Sequence, residues 1–191
     1  MMNEKAFLRG ISAHSQAIEL LKELGENIKA VKPSFDINCS LKLFDAFMQG
    51  FLFEVAIADG PFTIDESEFI QMVCDKCDIM KVLEASIIRD TGSVPVDISW
   101  FAVRRMDLES CRKLSSILER HVRHHAELFV EPYASLGVAM NRDIRSELQD
   151  VMTKIMQGLS LVDSDEINDS EALAILRKLY VFKQVWDQVT E

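Results

Sequence analysis

Apolar residues recur every three or four positions along most of this 191-residue chain. That spacing places them on one face of an α-helix, whereas a half-buried strand would show strict alternation. The most regular stripe consists of Ile144, Leu148, Val151, Met152, Ile155, Met156 and Leu159. Only Val94-Pro95-Val96 is even weakly extended, and proline disfavours a strand there. The sequence therefore predicts an all-α fold, a helical bundle of about seven or eight helices.

Proline and glycine mark the predicted ends of the helices. Lys32-Pro33 ends the first helix, predicted over residues 4–30, because the residue before proline is pushed away from helical angles. Gly60-Pro61 ends the second, and residues 92–97 form the clearest loop. Glu131-Pro132 is expected to break or kink a long helix or to begin a new one. A length of 191 residues fits one domain over residues 1–191.

A short acidic sequence occurs twice, each time between two predicted helices. The first copy, residues 58–68, reads ADGPFTIDESE, and the second, residues 162–171, reads VDSDEINDSE. Aligned with one extra residue in the first copy, they pair Asp59 with Asp163 and Glu68 with Glu171. The bundle is thus predicted to contain two pseudo-repeated helix–acidic loop–helix units.

Helix capping alone can explain two residues in each copy. Asp65 and Asn168 occupy the expected N-cap positions, and Glu68 and Glu171 follow them by three residues, as in a capping box. Such a cap is worth about 1 kcal/mol per helix and requires no ligand.

Capping does not explain Asp59 and Asp163, which follow the ends of apolar helices. Free carbonyl groups at a helix C-terminus disfavour a carboxylate, so each aspartate needs a compensating partner. A cation, a basic side chain or the amides of the next helix could each serve. Carboxylate oxygens are preferred ligands of calcium, magnesium and manganese. The candidate ligands of such a divalent cation are Asp59, Asp65, Glu68, Asp163, Asp165 and Glu171.

Residues 53–60, FEVAIADG, followed by Ile64, Asp65 and Glu68, resemble the signature of the TerB-like (tellurite-resistance-associated) family of helical domains. The second copy is similar, with serine in place of glycine and Asn168 in place of aspartate. The resemblance covers about residues 41–180. It implies an all-α bundle whose two halves each carry one motif, with the N-terminal helix packed on it.

The same resemblance implies a soluble, non-catalytic domain whose acidic residues bind a divalent metal in a stress-response or regulatory role. The family also occurs attached to co-chaperone-type proteins. Transferred residue by residue, the implied ligands are Asp59, Asp65, Glu68, Asp163 and Glu171. This chain departs from the signature in its inserted Pro61-Phe62.

Charge and composition restrict the possible partners. A net charge of −10 argues against nucleic-acid binding, because a phosphate backbone requires a basic face. No apolar run approaches the ~20 residues of a membrane-spanning helix, and the first ten residues lack the features of a signal peptide. Four cysteines in a chain of this size indicate reduced thiols. We expect a cytoplasmic protein, not membrane-spanning, with a protein partner.

A zinc site is an alternative suggested by one cysteine pair and one histidine cluster. Thiolates and imidazoles form tetrahedral zinc sites. These candidates are Cys74, Cys77, His121, His124 and His125. However, both cysteines fall on an apolar helical stripe, where free thiols behave as small core residues. The histidines lie among arginines on a predicted solvated face, and His14 is predicted to be a packed core histidine.

Motifs of catalysis are not found in the sequence. It has no G-x-S-x-G, no phosphate-binding glycine loop, no H-E-x-x-H and no pair of Glu-x-x-His sequences. We therefore predict a binding or regulatory module rather than an enzyme. The rival interpretation is a metal-free helical scaffold for protein–protein interaction.

Overall fold

The structure is a computed structural model that describes residues 3–92, 98–164 and 166–190. These residues form eight α-helices and no strand, which confirms the predicted all-α bundle. In chain order the helices are α1 (Glu4–Val31), α2 (Ile37–Ala56), α3 (Ile64–Val73), α4 (Ile79–Thr91), α5 (Trp100–Val103), α6 (Leu108–Met140), α7 (Ile144–Ser160) and α8 (Asp169–Thr190). The weakly extended segment 94–96 lies outside the described residues.

A single hydrophobic core joins these helices, with α2 at its centre. Helix α1 packs along α7, and α2 packs along α6, which also contacts α8. The Phe47 ring of α2 lies 5.2 Å from that of Phe129 in α6 and 6.0 Å from that of Phe182 in α8. Every residue of the predicted α7 stripe is buried. Across the described residues, no helix has the length and apolar character to cross a membrane.

Close packing of α1 against α7 positions the second acidic loop. A Cβ atom added to Gly158 would lie 2.8 Å from the Cα of Gly10, so the two backbones approach too closely for a side chain. At the start of α1, the backbone amide of Asn3 donates a 2.6 Å hydrogen bond to the Val162 carbonyl. The beginning of the chain therefore holds the loop that follows α7.

Two predicted helix boundaries outside the acidic loops differ in the structure. Helix α6 continues through Pro132, so neither a break nor a new helix occurs there. The sequence offers Asn38 and Ser40 as candidate N-caps of α2, but the N-cap is Asp36, whose carboxylate accepts from the Cys39 amide. For α5 the sequence offers Asp97 and Ser99; Ser99 is the N-cap, and Asp97 lies outside the described residues.

Candidate cation-binding site

The two acidic loops, residues 57–63 between α2 and α3 and residues 161–168 between α7 and α8, meet in space. The Asn168 amide donates to a carboxylate oxygen of Asp59 at 2.6 Å. The Thr63 hydroxyl donates to a carboxylate oxygen of Asp163 at 3.3 Å. Each loop thus supplies an aspartate that accepts a hydrogen bond from the other loop, and we call this arrangement the paired loops. Hydrogen-bond donors of the opposite loop are the partners that the two aspartates required.

Both loops end in a capping box. In the first, the Glu66 amide donates to the Thr63 hydroxyl at 3.2 Å, and the Thr63 amide donates to the Glu66 carboxylate at 2.7 Å. In the second, the Glu171 amide donates to the Asn168 side chain at 3.1 Å, and the Asn168 amide donates to the Glu171 carboxylate at 3.0 Å. Each box gives hydrogen-bond partners to amides that lack them at a helix N-terminus.

The predicted cap of the first loop is wrong by two residues. Helix α3 begins at Ile64, so Asp65 lies within its first turn and is half-buried, while Glu68 is exposed. The reason is Phe62, which is buried with its ring 5.2 Å from that of Phe53 and so fixes Thr63 at the start of the helix. The cap of the second loop, Asn168 with Glu171, is confirmed.

The corrected helix start changes the correspondence between the loops. Thr63 now matches Asn168, and Glu66 matches Glu171, so the extra residue belongs to the second loop rather than the first. Glu66 was missed although Thr63-x-x-Glu66 has the form of a capping box, because Asp65-x-x-Glu68 has the same form.

Four carboxylates gather where the paired loops meet, and we call them the acidic cluster: Asp59, Glu66, Asp163 and Glu171. Glu66 and Glu171 are only 3% and 4% exposed. The pKa of Glu66 is raised from its ordinary 4.5 to about 7; burial is the main cause, Asp163 and Asp59 contribute to the rise, and hydrogen bonds from Thr63 oppose it. Burial also raises the pKa of Glu171, and the same two aspartates contribute in the same direction. The four groups therefore repel one another.

The carboxylate oxygens of the acidic cluster are ligands that suit a hard divalent cation. Among the described residues, no three of its carboxylate groups bring oxygens within 4.8 Å of one another. Ligation by three carboxylates would thus require the loops to close, whereas magnesium retains water and calcium accepts it as ligand. Asp59 and Asp163 are exposed, which opens the cluster to solvent.

The structure brings together three of the predicted ligands, Asp59, Asp163 and Glu171, and adds Glu66. Asp65 and Glu68 lie on α3. Their assignment as metal ligands stays a prediction. Asp165 lies outside the described residues.

The zinc alternative is not assembled as the sequence suggested. In the described part of the chain, no group of three metal-binding side chains joins Cys74 or Cys77 with the histidines of α6. One of those histidines, His125, contacts the carbonyl of His121 through Nδ1 at 2.6 Å.

Comparisons of the chain with protein-family models, with curated proteins and with solved structures find no match. The geometry of the paired loops and the resemblance of their residues therefore carry the functional argument.

Proposed function

We propose that this protein is a non-catalytic, TerB-like helical module that binds one divalent cation at the paired loops. Calcium, magnesium and manganese are the candidate ions. The observation that supports this function is the acidic cluster, in which two buried glutamates and two exposed aspartates come from loops about a hundred residues apart. The setting we propose is a cytoplasmic stress-response or regulatory process with a protein partner.

Electrostatics favours a cation at this place. The hydrogen bonds between the loops come from the neutral side chains of Asn168 and Thr63. They satisfy the aspartate oxygens but bring no positive charge, so the repulsion within the cluster persists. A dication would offset that repulsion and would favour the ionised form of the buried glutamates.

Binding at the cluster would link four helices. Asp59 follows the end of α2 and Asp163 follows the end of α7. Glu66 and Glu171 lie in the first turns of α3 and α8. A cation held among them would fix the two helix pairs relative to each other, and its release would restore repulsion between the loops. This coupling of ion binding to helix orientation is the regulatory mechanism we propose.

Thermal unfolding of EDTA-treated protein tests the proposal. An ion present at 100 times its dissociation constant should add about 2.7 kcal/mol to the free energy of unfolding. We expect this gain with calcium, magnesium or manganese, and its loss in the double variant Asp59→Asn/Asp163→Asn.

Asp90→Asn is the matched control, because Asp90 is an exposed aspartate in the last turn of α4, remote in sequence from both loops. It should keep the full response to the ion. The proposal is wrong if no ion raises the melting temperature, or if the double variant responds as the wild type does.

A second candidate function, the metal-free interaction scaffold, is favoured by a groove between α1 and α6. The groove has a volume of about 590 Å³ and is mainly apolar. Val31, Leu128 and Met140 line it and are 82%, 47% and 44% exposed. Pro132 also lines it and has no backbone amide to donate to the Leu128 carbonyl. An apolar helix of another protein would fit this surface.

Selection of displayed peptides against the protein tests the scaffold function. Val31→Glu should abolish binding of the selected peptides, since it places a charge in the groove. Val138→Glu is the control, because Val138 is 77% exposed and does not line the groove. Peptides that bind both variants equally well would contradict a role for the groove.

A further inference from the structure

Three metal-binding side chains from distant parts of the chain meet in the interior. His14 lies in α1, Asp45 lies in α2, and Cys74 directly follows the last residue of α3. One nitrogen, one oxygen and one sulfur atom of these residues all lie within 4.8 Å of one another. The side chains are buried, with 7%, 0% and 1% of their residues' surfaces exposed. We call them the buried triad.

We infer that the buried triad binds a zinc ion, with His14 Nε2, an oxygen of Asp45 and Cys74 Sγ as ligands. Imidazole, carboxylate and thiolate are the three ligand types that zinc accepts in proteins. A thiolate ligand disfavours calcium and magnesium, which select oxygen. The triad therefore differs in chemical class from the acidic cluster, and its assignment does not rest on the function proposed above.

Hydrogen bonds around the triad hold its ligands in place. His14 Nε2 and Asp45 Oδ1 are 2.8 Å apart, a hydrogen bond that zinc would replace, whereas the second oxygen of Asp45 accepts from the Lys76 amide at 2.8 Å and would keep that bond. The Gln49 side chain donates to the Cys74 carbonyl at 2.7 Å and accepts from the Ile79 amide at 2.8 Å. These contacts fix the turn that carries the thiol. Metal sites depend on such surrounding bonds to orient their ligands.

Charge within the triad also favours a dication. Asp45 is fully buried, and although His14 and the Lys76 amide form hydrogen bonds with it, an ionised carboxylate in the interior favours a positive charge beside it. On zinc binding, Cys74 would release its thiol proton to solvent, and a proton on His14 Nε2 would move to Nδ1 or to solvent so that Nε2 can bind the ion.

A groove beside α1 borders the triad at one of its ligands. His14 lines this groove, which has a volume of about 410 Å³ and lies against the residues that follow α3. A water molecule entering from this groove would supply the fourth ligand of a tetrahedral zinc ion.

Cobalt(II) titration of the full-length, EDTA-treated protein tests the inference, because a cobalt–thiolate bond produces a near-ultraviolet charge-transfer band. We expect the band to saturate at one cobalt per chain, to disappear on addition of zinc and to be unaffected by excess calcium. Cys74→Ser should abolish it, and His14→Gln should weaken cobalt binding by at least roughly tenfold. Cys111→Ser is the matched control: Cys111 is also buried but lies outside the triad, so the band should persist.

Wild-type protein alone also suffices for the test, should a variant fail to fold. X-ray absorption of the zinc-loaded wild type should show one sulfur together with nitrogen and oxygen ligands. The inference is overturned if the wild type gives no cobalt band, if the band persists in Cys74→Ser, or if zinc has only oxygen and nitrogen neighbours. The triad would then be a buried hydrogen-bonded pair beside a core thiol.

Discussion

The two acidic loops share one plan but differ in detail. In the first, Asp59 precedes the cap by four residues and the cap is a threonine; in the second, Asp163 precedes it by five and the cap is an asparagine. The cross-loop bond from Asn168 is 2.6 Å long, whereas the bond from Thr63 is 3.3 Å long. Burial also acts more strongly on the first loop, where the pKa of Glu66 reaches about 7. The second loop thus donates the shorter cross-loop hydrogen bond, and the first contains the carboxyl group that burial affects more strongly.

The largest expected effect is a pH dependence of stability caused by Glu66. Its pKa is higher in the folded state than its ordinary 4.5, so the folded protein binds this proton more tightly than the unfolded chain does. Its contribution is fully present below pH 4.5 and is lost as the pH rises through about 7. The shift corresponds to at most about 3 kcal/mol. Glu66→Gln keeps the capping box and should remove this dependence in urea titrations between pH 4.5 and 8.

Two other glutamine substitutions test the difference between the two loops. Glu171→Gln should flatten the pH profile in the same direction but less strongly, because its pKa is raised for the same reasons. Glu68→Gln, on the exposed face of α3, should leave the profile unchanged. A larger effect from Glu171 than from Glu66 would contradict the difference between the loops.

An intermediate effect is expected from the cross-loop bridge. Asn168→Asp keeps a good N-cap residue but replaces the amide donor to Asp59 with a second carboxylate. Without added cations it should lower the free energy of unfolding by about 2 kcal/mol. Calcium or magnesium should restore more stability to this variant than to the wild type, because the cluster gains a ligand. Asn168→Ser is the control that loses the donor without adding charge, and its loss should be smaller.

The smallest effect is expected at the cap of the first loop. Thr63→Ala removes the hydroxyl that accepts from the Glu66 amide and donates to Asp163, and it should cost about 1 kcal/mol in chemical denaturation. Thr63→Ser retains the hydroxyl and should stay close to the wild type. Equal stability of the alanine and serine variants would show that the hydroxyl contributes nothing to the loop.

Periodicity predicted the helices well, because helical stripes such as that of α7 are written locally in the sequence. Periodicity does not predict contacts between segments that are distant in the sequence. The Asn168–Asp59 bond joins residues 109 positions apart. His14 was predicted to be a packed histidine, and it is buried, but its contact with the buried Asp45, 31 positions away, was not predicted.

Neighbouring residues in the sequence were also not enough to choose between two overlapping capping boxes. Thr63-x-x-Glu66 and Asp65-x-x-Glu68 fit the same pattern, and the burial of Phe62 decides between them. Local chemistry sufficed in the second loop, where Asn168 and Glu171 form the predicted box without a competing pair.

Isothermal titration calorimetry of EDTA-treated protein with calcium, with magnesium and manganese titrated in parallel, tests whether the paired loops bind a cation. Because the paired loops form one cluster, we expect one ion per chain. We also expect Asp59→Asn or Asp163→Asn alone to weaken binding of that same ion. Two independent ions, each lost with only one of the two aspartates, would show that the loops act separately. No binding of any of the three would show that the loops serve as helix caps and a hydrogen-bonded bridge.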